Sequence, residues 1–270
     1  MKPAPPPATR RQDATLRLAA VTRHWLVAAL GAGGLAAAAQ AADTASSCNV
    51  RSSASAPTII ELYTSEGCSS CPPADRWLSK WITQPDVIAL AFHVDYWDHL
   101  GWKDPFGSPA HTERQYQQQA VNGSRFSYTP QVTINGVDSR QWQSVRMPIA
   151  GPAAASPLQV RLSRDGDRYT ALVQPGSGAP DRLAAYWAVT ENRHVSAVTS
   201  GENRGGTLTH DFVVREYRPV PIWTAGTEAA KTLTFSPAPA PRSEEHPRQV
   251  NLVIVDAASG RPVQAVRLGC

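Results

Sequence analysis

Two cysteines separated by two serines, Cys68-Ser69-Ser70-Cys71, constrain this chain more than any other feature. An apolar, β-branched run, Thr58-Ile59-Ile60-Glu61-Leu62-Tyr63, precedes them and the chain reaches them through Gly67. A helical pattern follows, Pro72-Pro73-Ala74-Asp75-Arg76-Trp77-Leu78. A strand that turns into a helix at this point puts both sulfurs on one side of the first turn, close enough to bond. The partial positive charge and free N–H groups of a helix start favour a thiolate. Cys68 is therefore expected to be the exposed, attacking sulfur, and Cys71, one turn deeper, the resolving one.

The elements around the pair read as the start of a strand–helix–strand unit. Helical spacing of Ala74, Trp77, Leu78, Trp81 and Ile82 predicts a helix over 68–83, with the prolines tolerated in its first turn. Residues 87–94 are almost continuously apolar, as in a parallel strand covered on both faces. An aromatic, charged segment from Asp95 to Phe106 follows; its Tyr96, Trp97 and Trp102 can wall a groove or cap the core. Ser108-Pro109 opens a second helix that Asn122-Gly123 ends. Asn135-Gly136 is a hairpin turn, and a further helix is expected over 139–147.

Beyond a Pro/Ala-rich linker at 151–157 the pattern changes to short strands. They are expected at 158–162, 169–173, 183–190, 207–217, 232–235, 250–255 and 263–268, with turn residues between them. The cluster Gly201-Glu202-Asn203 with Gly205-Gly206 reads as such a turn and receives no role. The 237–248 stretch reads as a Pro-rich loop.

The charge balance separates a leader from the rest. Residues 1–41 carry Lys2, Arg10, Arg11, Arg17 and Arg23 against Asp13 alone, which accounts for the whole net charge of +4. The remainder is balanced, so no nucleic-acid partner is expected. An apolar stretch over 25–39 ends in Ala39-Gln40-Ala41, the pattern of a signal peptide cleaved after Ala41. A periplasmic or secreted protein without a stable membrane anchor follows, with a Ser/Ala-rich linker at 42–56. In an oxidising compartment four cysteines pair. A local Cys68–Cys71 bridge leaves Cys48 with Cys270, a long loop that contributes about 5 kcal/mol in the chain-entropy model.

A C-x-x-C after a strand is the thioredoxin-like redox motif, although zinc sites use it too. Zinc needs a second ligand pair. Cys48 and Cys270 supply no second C-x-x-C, and His93, His99 and His111 show no ligand spacing, so no metal and no cofactor is expected. Glu61 and Asp95 are polar residues in or beside apolar strands, and each reads as a fixed network member or as a proton acceptor for Cys71. His93 reads as a core histidine.

The stretches Glu61-Leu62-Tyr63-Thr64-Ser65-Glu66-Gly67-Cys68-Ser69-Ser70-Cys71-Pro72-Pro73-Ala74-Asp75, Phe92-His93-Val94-Asp95-Tyr96-Trp97-Asp98, Gly101-Trp102-Lys103-Asp104-Pro105-Phe106 and Tyr128-Thr129-Pro130-Gln131 resemble a family of secreted bacterial thioredoxin-like proteins catalogued as domain of unknown function 1223. The resemblance covers roughly residues 57–270 and carries no known reaction. It implies an α/β thioredoxin-like domain over 57–155, followed by the all-β, sandwich-like domain over 157–270 that the strand pattern suggests. It also implies that Pro130 is cis and lies against the dithiol, with Thr129 presenting its backbone to an extended substrate. Gly67 stands where thioredoxin has a tryptophan, and Ser69-Ser70 where it has Gly-Pro, changes that tune redox poise.

The function expected from these features is exported thiol–disulfide oxidoreduction by Cys68 and Cys71, acting on protein or small-molecule thiols and disulfides. Two alternatives remain open: a Cu(I)-binding or metallochaperone protein using the thiolates near His93, and a non-catalytic binding module in which the bridge only staples a helix start.

Overall fold

A computed structural model describes residues 48–146, 155–226, 229–240 and 243–270. The expected leader, its cleavage site and residues 151–154 of the expected linker lie outside them. The described chain runs β1 (Asn49–Arg51), β2 (Thr58–Thr64), α1 (Pro72–Ser79), β3 (Val87–His93), α2 (Pro109–Val121), β4 (Gln131–Ile134), β5 (Val137–Asp138), β6 (Leu158–Asp165), β7 (Arg168–Pro175), β8 (Arg182–Glu191), β9 (His194–Ala197), β10 (Thr207–His210), β11 (Val213–Thr224), β12 (Lys231–Phe235), β13 (Arg248–Asp256) and β14 (Pro262–Leu268).

This order of elements overturns the expected class of an α/β thioredoxin-like domain followed by an all-β one. Fourteen strands stand against two α-helices among the described residues. The principal sheet has eight strands in the order β14-β13-β8-β11-β3-β2-β4-β5, so strands from both halves of the chain share it. The physical cause is the edge of β3. This strand is buried along its whole length, and its backbone groups need partners on both sides. β2 supplies one side in parallel. β11 supplies the other, pairing Val213 with Ala91 and continuing antiparallel to β8. The helix expected over 139–147 is a single 3-10 turn, Trp142–Ser144, whose one buried side chain is Trp142, too little for an apolar face.

Alternation along β2 and β3 serves two layers. Ile60, Leu62, Ala89 and Ala91 pack against Ala74, Trp77, Leu78 and Trp81 from α1 and the turn after it. Ile59, Tyr63, Leu90 and Phe92 point to the opposite face, where His111 of α2 meets the Phe92 ring edge-on. Beside α1, a second sheet in the order β1-β6-β7-β12 packs its Leu158, Val160, Leu162 and Val173 on Ala185, Trp187, Leu252 and Ile254.

Local signals account for most element ends. Ser108 Oγ accepts from the Ala110 N–H at the start of α2. Asn135 and Gly136 take positive φ in the β4–β5 hairpin. The expected strand at 207–217 breaks at Asp211 and Phe212, where Phe212 has φ 57°, into β10 and β11. β11 then runs on through Pro219 and Pro221, with a register shift between Val220 and Trp223 beside the second proline. β9 and β1 are short and half polar, and the sequence pattern does not announce either.

Both expected disulfides are present. Cys48–Cys270 joins the residue before β1 to the last residue, with Cα atoms 6.0 Å apart. Among the described residues, no helix is long and apolar enough to cross a membrane.

Candidate functional site

The Cys68–Cys71 bridge sits where the loop after β2 enters α1, with Cα atoms 5.4 Å apart. Cys71 is the cap of α1, and its carbonyl accepts from the Ala74 N–H at 2.8 Å. The Thr129-Pro130 peptide is cis, as the resemblance implies. Ser70 Oγ lies 3.4 Å from both Cys68 Sγ and the Thr129 carbonyl oxygen, and Trp97 Nε1 donates to Thr129 Oγ1 at 2.8 Å. Trp97 also explains Gly67: a Cβ there would meet Trp97 Cβ at 2.9 Å.

Cys68 is not the exposed residue that its position suggests. It is 1% exposed and Cys71 0%, while Ser69 and Ser70 between them are exposed. The cover comes from the β9–β10 connection. Asn203 Nδ2 donates to the carbonyls of Glu66 and Cys68 at 2.8 and 3.0 Å. The Ser69 N–H donates to Glu202 Oε2 at 2.9 Å. Ser200 Oγ bonds the Gly101 carbonyl, and Gly201 packs close to Trp102. The glycine-rich turn cluster at 201–206 was visible in the sequence; its position over the cysteines was not.

Next to the bridge lies a second group that sequence spacing did not reveal. Thr64 and His93 are cross-strand partners at the carboxyl ends of β2 and β3, so both face α1. Thr64 Oγ1 donates to Asp75 Oδ2 at 3.0 Å. His93 Nδ1 is 2.7 Å from Asp104 Oδ2, which also accepts from the Glu66 N–H at 2.8 Å. His210, at the end of β10, places Nε2 3.1 Å from Glu66 Oε1, whose other oxygen accepts from Trp102 Nε1 at 2.7 Å. Glu66, Asp75, His93, Asp104 and His210 are all buried. Burial alone would raise the Asp104 carboxyl, but His93 and the backbone N–H donors hold it at about 2. Burial would likewise lower His210, but Asp75 and Glu66 outweigh it and raise the imidazole to about 10.

Glu61 and Asp95 do not serve the cysteines. Glu61 is on the opposite face of β2 from α1. Its Oε1 accepts from Arg114 at 2.7 Å and from the Tyr186 hydroxyl at 2.5 Å, and its Oε2 accepts from Tyr63 at 2.8 Å. Asp95 accepts from Thr112 Oγ1 at 2.6 Å. Both are fixed network members. Burial pushes the His111 imidazole down to about 4, and its Nδ1 is 3.0 Å from the His93 carbonyl. His99 Nδ1 lies 2.7 Å from the Tyr96 carbonyl on the surface.

The fold and this site define a β-rich, doubly disulfide-bonded protein with a covered C-x-x-C bridge beside a buried carboxylate–histidine group. The chain belongs to the family described as Protein of unknown function (DUF1223), whose model matches residues 59–255. A crystal structure of an Agrobacterium tumefaciens protein is similar to it, with 26% identity and a TM-score of 0.56 over 79% of this chain and 94% of that one. HBP35 of Porphyromonas gingivalis is similar in fold, with 14% identity and a TM-score of 0.56 over 80% of this chain and 76% of that one. Neither likeness restores the α/β class set aside above. No curated protein matches the chain in sequence.

Proposed function

We propose that the Cys68–Cys71 bridge is a redox centre that exchanges with thiols of exported proteins or small molecules. A substrate thiolate attacks Cys68 Sγ, the bond to Cys71 breaks, and Cys71 leaves as a thiolate that takes up a proton. A second substrate thiolate then attacks its partner sulfur in the mixed disulfide and releases Cys68. The substrate gains a disulfide, and the protein becomes the dithiol. The observation that carries this reading is the place of the bridge, at the start of α1 with exposed Ser70 reaching 3.4 Å to both Cys68 Sγ and the Thr129 carbonyl; the hydrogen bonds of Glu202 and Asn203 are the cover that a substrate has to displace. Thr129 and Pro130 would border the exchanging substrate. The basic leader, the A-x-A site and the two disulfides support export to an oxidising compartment. The Cu(I) alternative is weaker, because His93 is engaged with Asp104 and the two sulfurs with each other.

The experiment equilibrates the native protein with glutathione buffers, quenches with acid, and counts alkylated cysteines by mass. The expected result is a reversible, native-state Cys68/Cys71 couple and a mixed disulfide trapped by Cys71→Ser. Asn203→Ala, which removes two hydrogen bonds worth about 1 kcal/mol each, should speed reduction about thirtyfold. The burial of both sulfurs favours one rival, a staple at the helix start. Resistance of the bridge to dithiothreitol up to the unfolding transition would establish the rival and remove the redox reading.

A further inference from the structure

The carboxylate–histidine group contains two imidazole nitrogens that no protein atom satisfies. His93 Nε2 and His210 Nδ1 are buried and have no hydrogen-bond partner. Each belongs to a ring whose other nitrogen faces a carboxylate: His93 Nδ1 faces Asp104, and His210 Nε2 faces Glu66. With one proton of each ring on its carboxylate side, His93 Nε2 offers a lone pair, and an incoming cation that displaces the second proton of His210 finds one on Nδ1. A buried nitrogen without a partner is costly, and here two occur side by side, with the rings 4.9 Å apart and steeply inclined. Asp75 completes the arrangement. One of its oxygens accepts from Thr64, and the other lies 3.8 Å from His210 Nδ1, too far for a hydrogen bond.

We propose that His93 Nε2, His210 Nδ1 and Asp75 Oδ1 bind one divalent transition-metal ion, zinc in the first place. One ligand atom from each of the three residues lies within 4.8 Å of the others. Tetrahedral zinc with bonds of about 2.0–2.1 Å puts its ligand atoms roughly 3.3 Å apart, so the two imidazoles as well as Asp75 draw together on binding. Two imidazoles and a carboxylate suit zinc. Carboxylates on the outer nitrogens are the supports that metal-bound histidines generally have. Glu66, Asp75 and Asp104 also put three carboxylates in this buried space, a setting that favours a cation. A small cleft of about 70 Å³ lined by Pro72, Asp75, Arg76 and Thr207–His210 reaches two of the three ligands. It is the approach that an incoming ion would take. The absence of regular spacing among the histidines had argued against any metal. The site escapes a spacing rule because its ligands come from α1, β3 and β10.

The test uses the oxidised, full-length protein stripped with a chelator, in which no thiolate is available because all four cysteines are bridged. Zinc is titrated calorimetrically and counted by mass spectrometry after dialysis, and cobalt is bound as a spectroscopic probe. The expected result is one zinc per chain and a tetrahedral cobalt spectrum without a thiolate charge-transfer band. Affinity should fall at least 100-fold in His210→Gln and Asp75→Asn. In Glu66→Gln, where only the support is altered, it should fall about 10–100-fold. The Cys68→Ser/Cys71→Ser and His246→Gln variants should keep wild-type binding. No binding by the wild-type protein would overturn the proposal. So would full binding in a folded His210→Gln variant, or binding lost with His246. If His210→Gln does not fold, the cobalt spectrum of the wild-type protein decides: an octahedral or sulfur-ligated spectrum rejects the site.

Discussion

Two buried polar groups occupy opposite faces of β2, and they differ in how completely they are satisfied. On the α2 face, both oxygens of Glu61 are taken, by Arg114 and by the hydroxyls of Tyr63 and Tyr186, and the Arg114 guanidinium lies 4.6 Å from the Tyr186 ring centre. Within the group itself what is left unpaired is Arg114 Nε, a donor with no lone pair; beside it Thr133 Oγ1 and Gln118 Oε1 are unpartnered as well, but they are single neutral oxygens without a basic nitrogen among them. On the α1 face, His93 and His210 leave two nitrogens that can each carry a lone pair. The first group joins β2, α2 and β8 and has no further valence to offer. The second has ligating capacity that the fold does not use. Burial alone therefore does not separate a structural polar group from a functional one; the kind of atom left over does.

Breaking the closed group should have the largest effect. Arg114→Met leaves Glu61 as a buried carboxylate without its cation, and urea unfolding should show a loss of about 3–5 kcal/mol. The Glu61→Leu/Arg114→Met pair should recover much of it, because no charge then remains buried. If the single variant costs less than the pair, the ion pair is not what holds α2 and β8 to β2.

The two disulfides extend the contrast between structural and functional parts. Cys48→Ser/Cys270→Ser opens a loop with a sequence separation of 222 and should cost about 2–4 kcal/mol in the same unfolding assay. Cys68→Ser/Cys71→Ser opens a separation of 3, where the chain-entropy model allows only about 2 kcal/mol. An equal or larger loss from the short bridge would mark it as the staple.

The open group can be tested by filling it. Zinc at a hundredfold excess over its dissociation constant should add about 2.7 kcal/mol to the unfolding free energy, raise the melting temperature of the wild-type protein, and leave that of His210→Gln unchanged.

The smallest effect concerns a third group, at the surface. Burial works against the Glu191 carboxylate, but Arg248, Arg215 and His194 outweigh it and hold its pKa below the ordinary value. Burial, helped by His246, lowers that of His194. Both groups bind fewer protons folded than unfolded, so stability rises with pH. Their contribution is present above their ordinary values, about 4.3 and 6.5, and is lost as acidification passes through the depressed ones. Melting temperature should therefore fall between about pH 7 and pH 4, and Arg248→Met should flatten the lower part of that slope.

Elements with a local cause could be read directly from the residues. Ser108-Pro109 starts a helix because a hydroxyl can cap it and a proline needs no donor there. Asn135-Gly136 turns because both residues tolerate positive φ. Cys48 pairs with Cys270 because the only other cysteines are three residues apart and pair with each other. The burial of 87–93 follows from a run without a polar side chain until His93. The partner of β3 had no such signature. β11 lies more than a hundred residues later, and its first residues could as well have extended β10; the turn at Phe212 and the need to pair the free edge of β3 decide between these. The same is true of the histidine group: Glu66 and His210 are separated by 144 positions, and only the placement of the β9–β10 hairpin over the ends of β2 and β3 brings them together. Backbone preferences act over a few residues and leave a mark in the sequence. Edge pairing and the burial of charge depend on which distant segments exclude water together, and that is settled when the whole sheet closes.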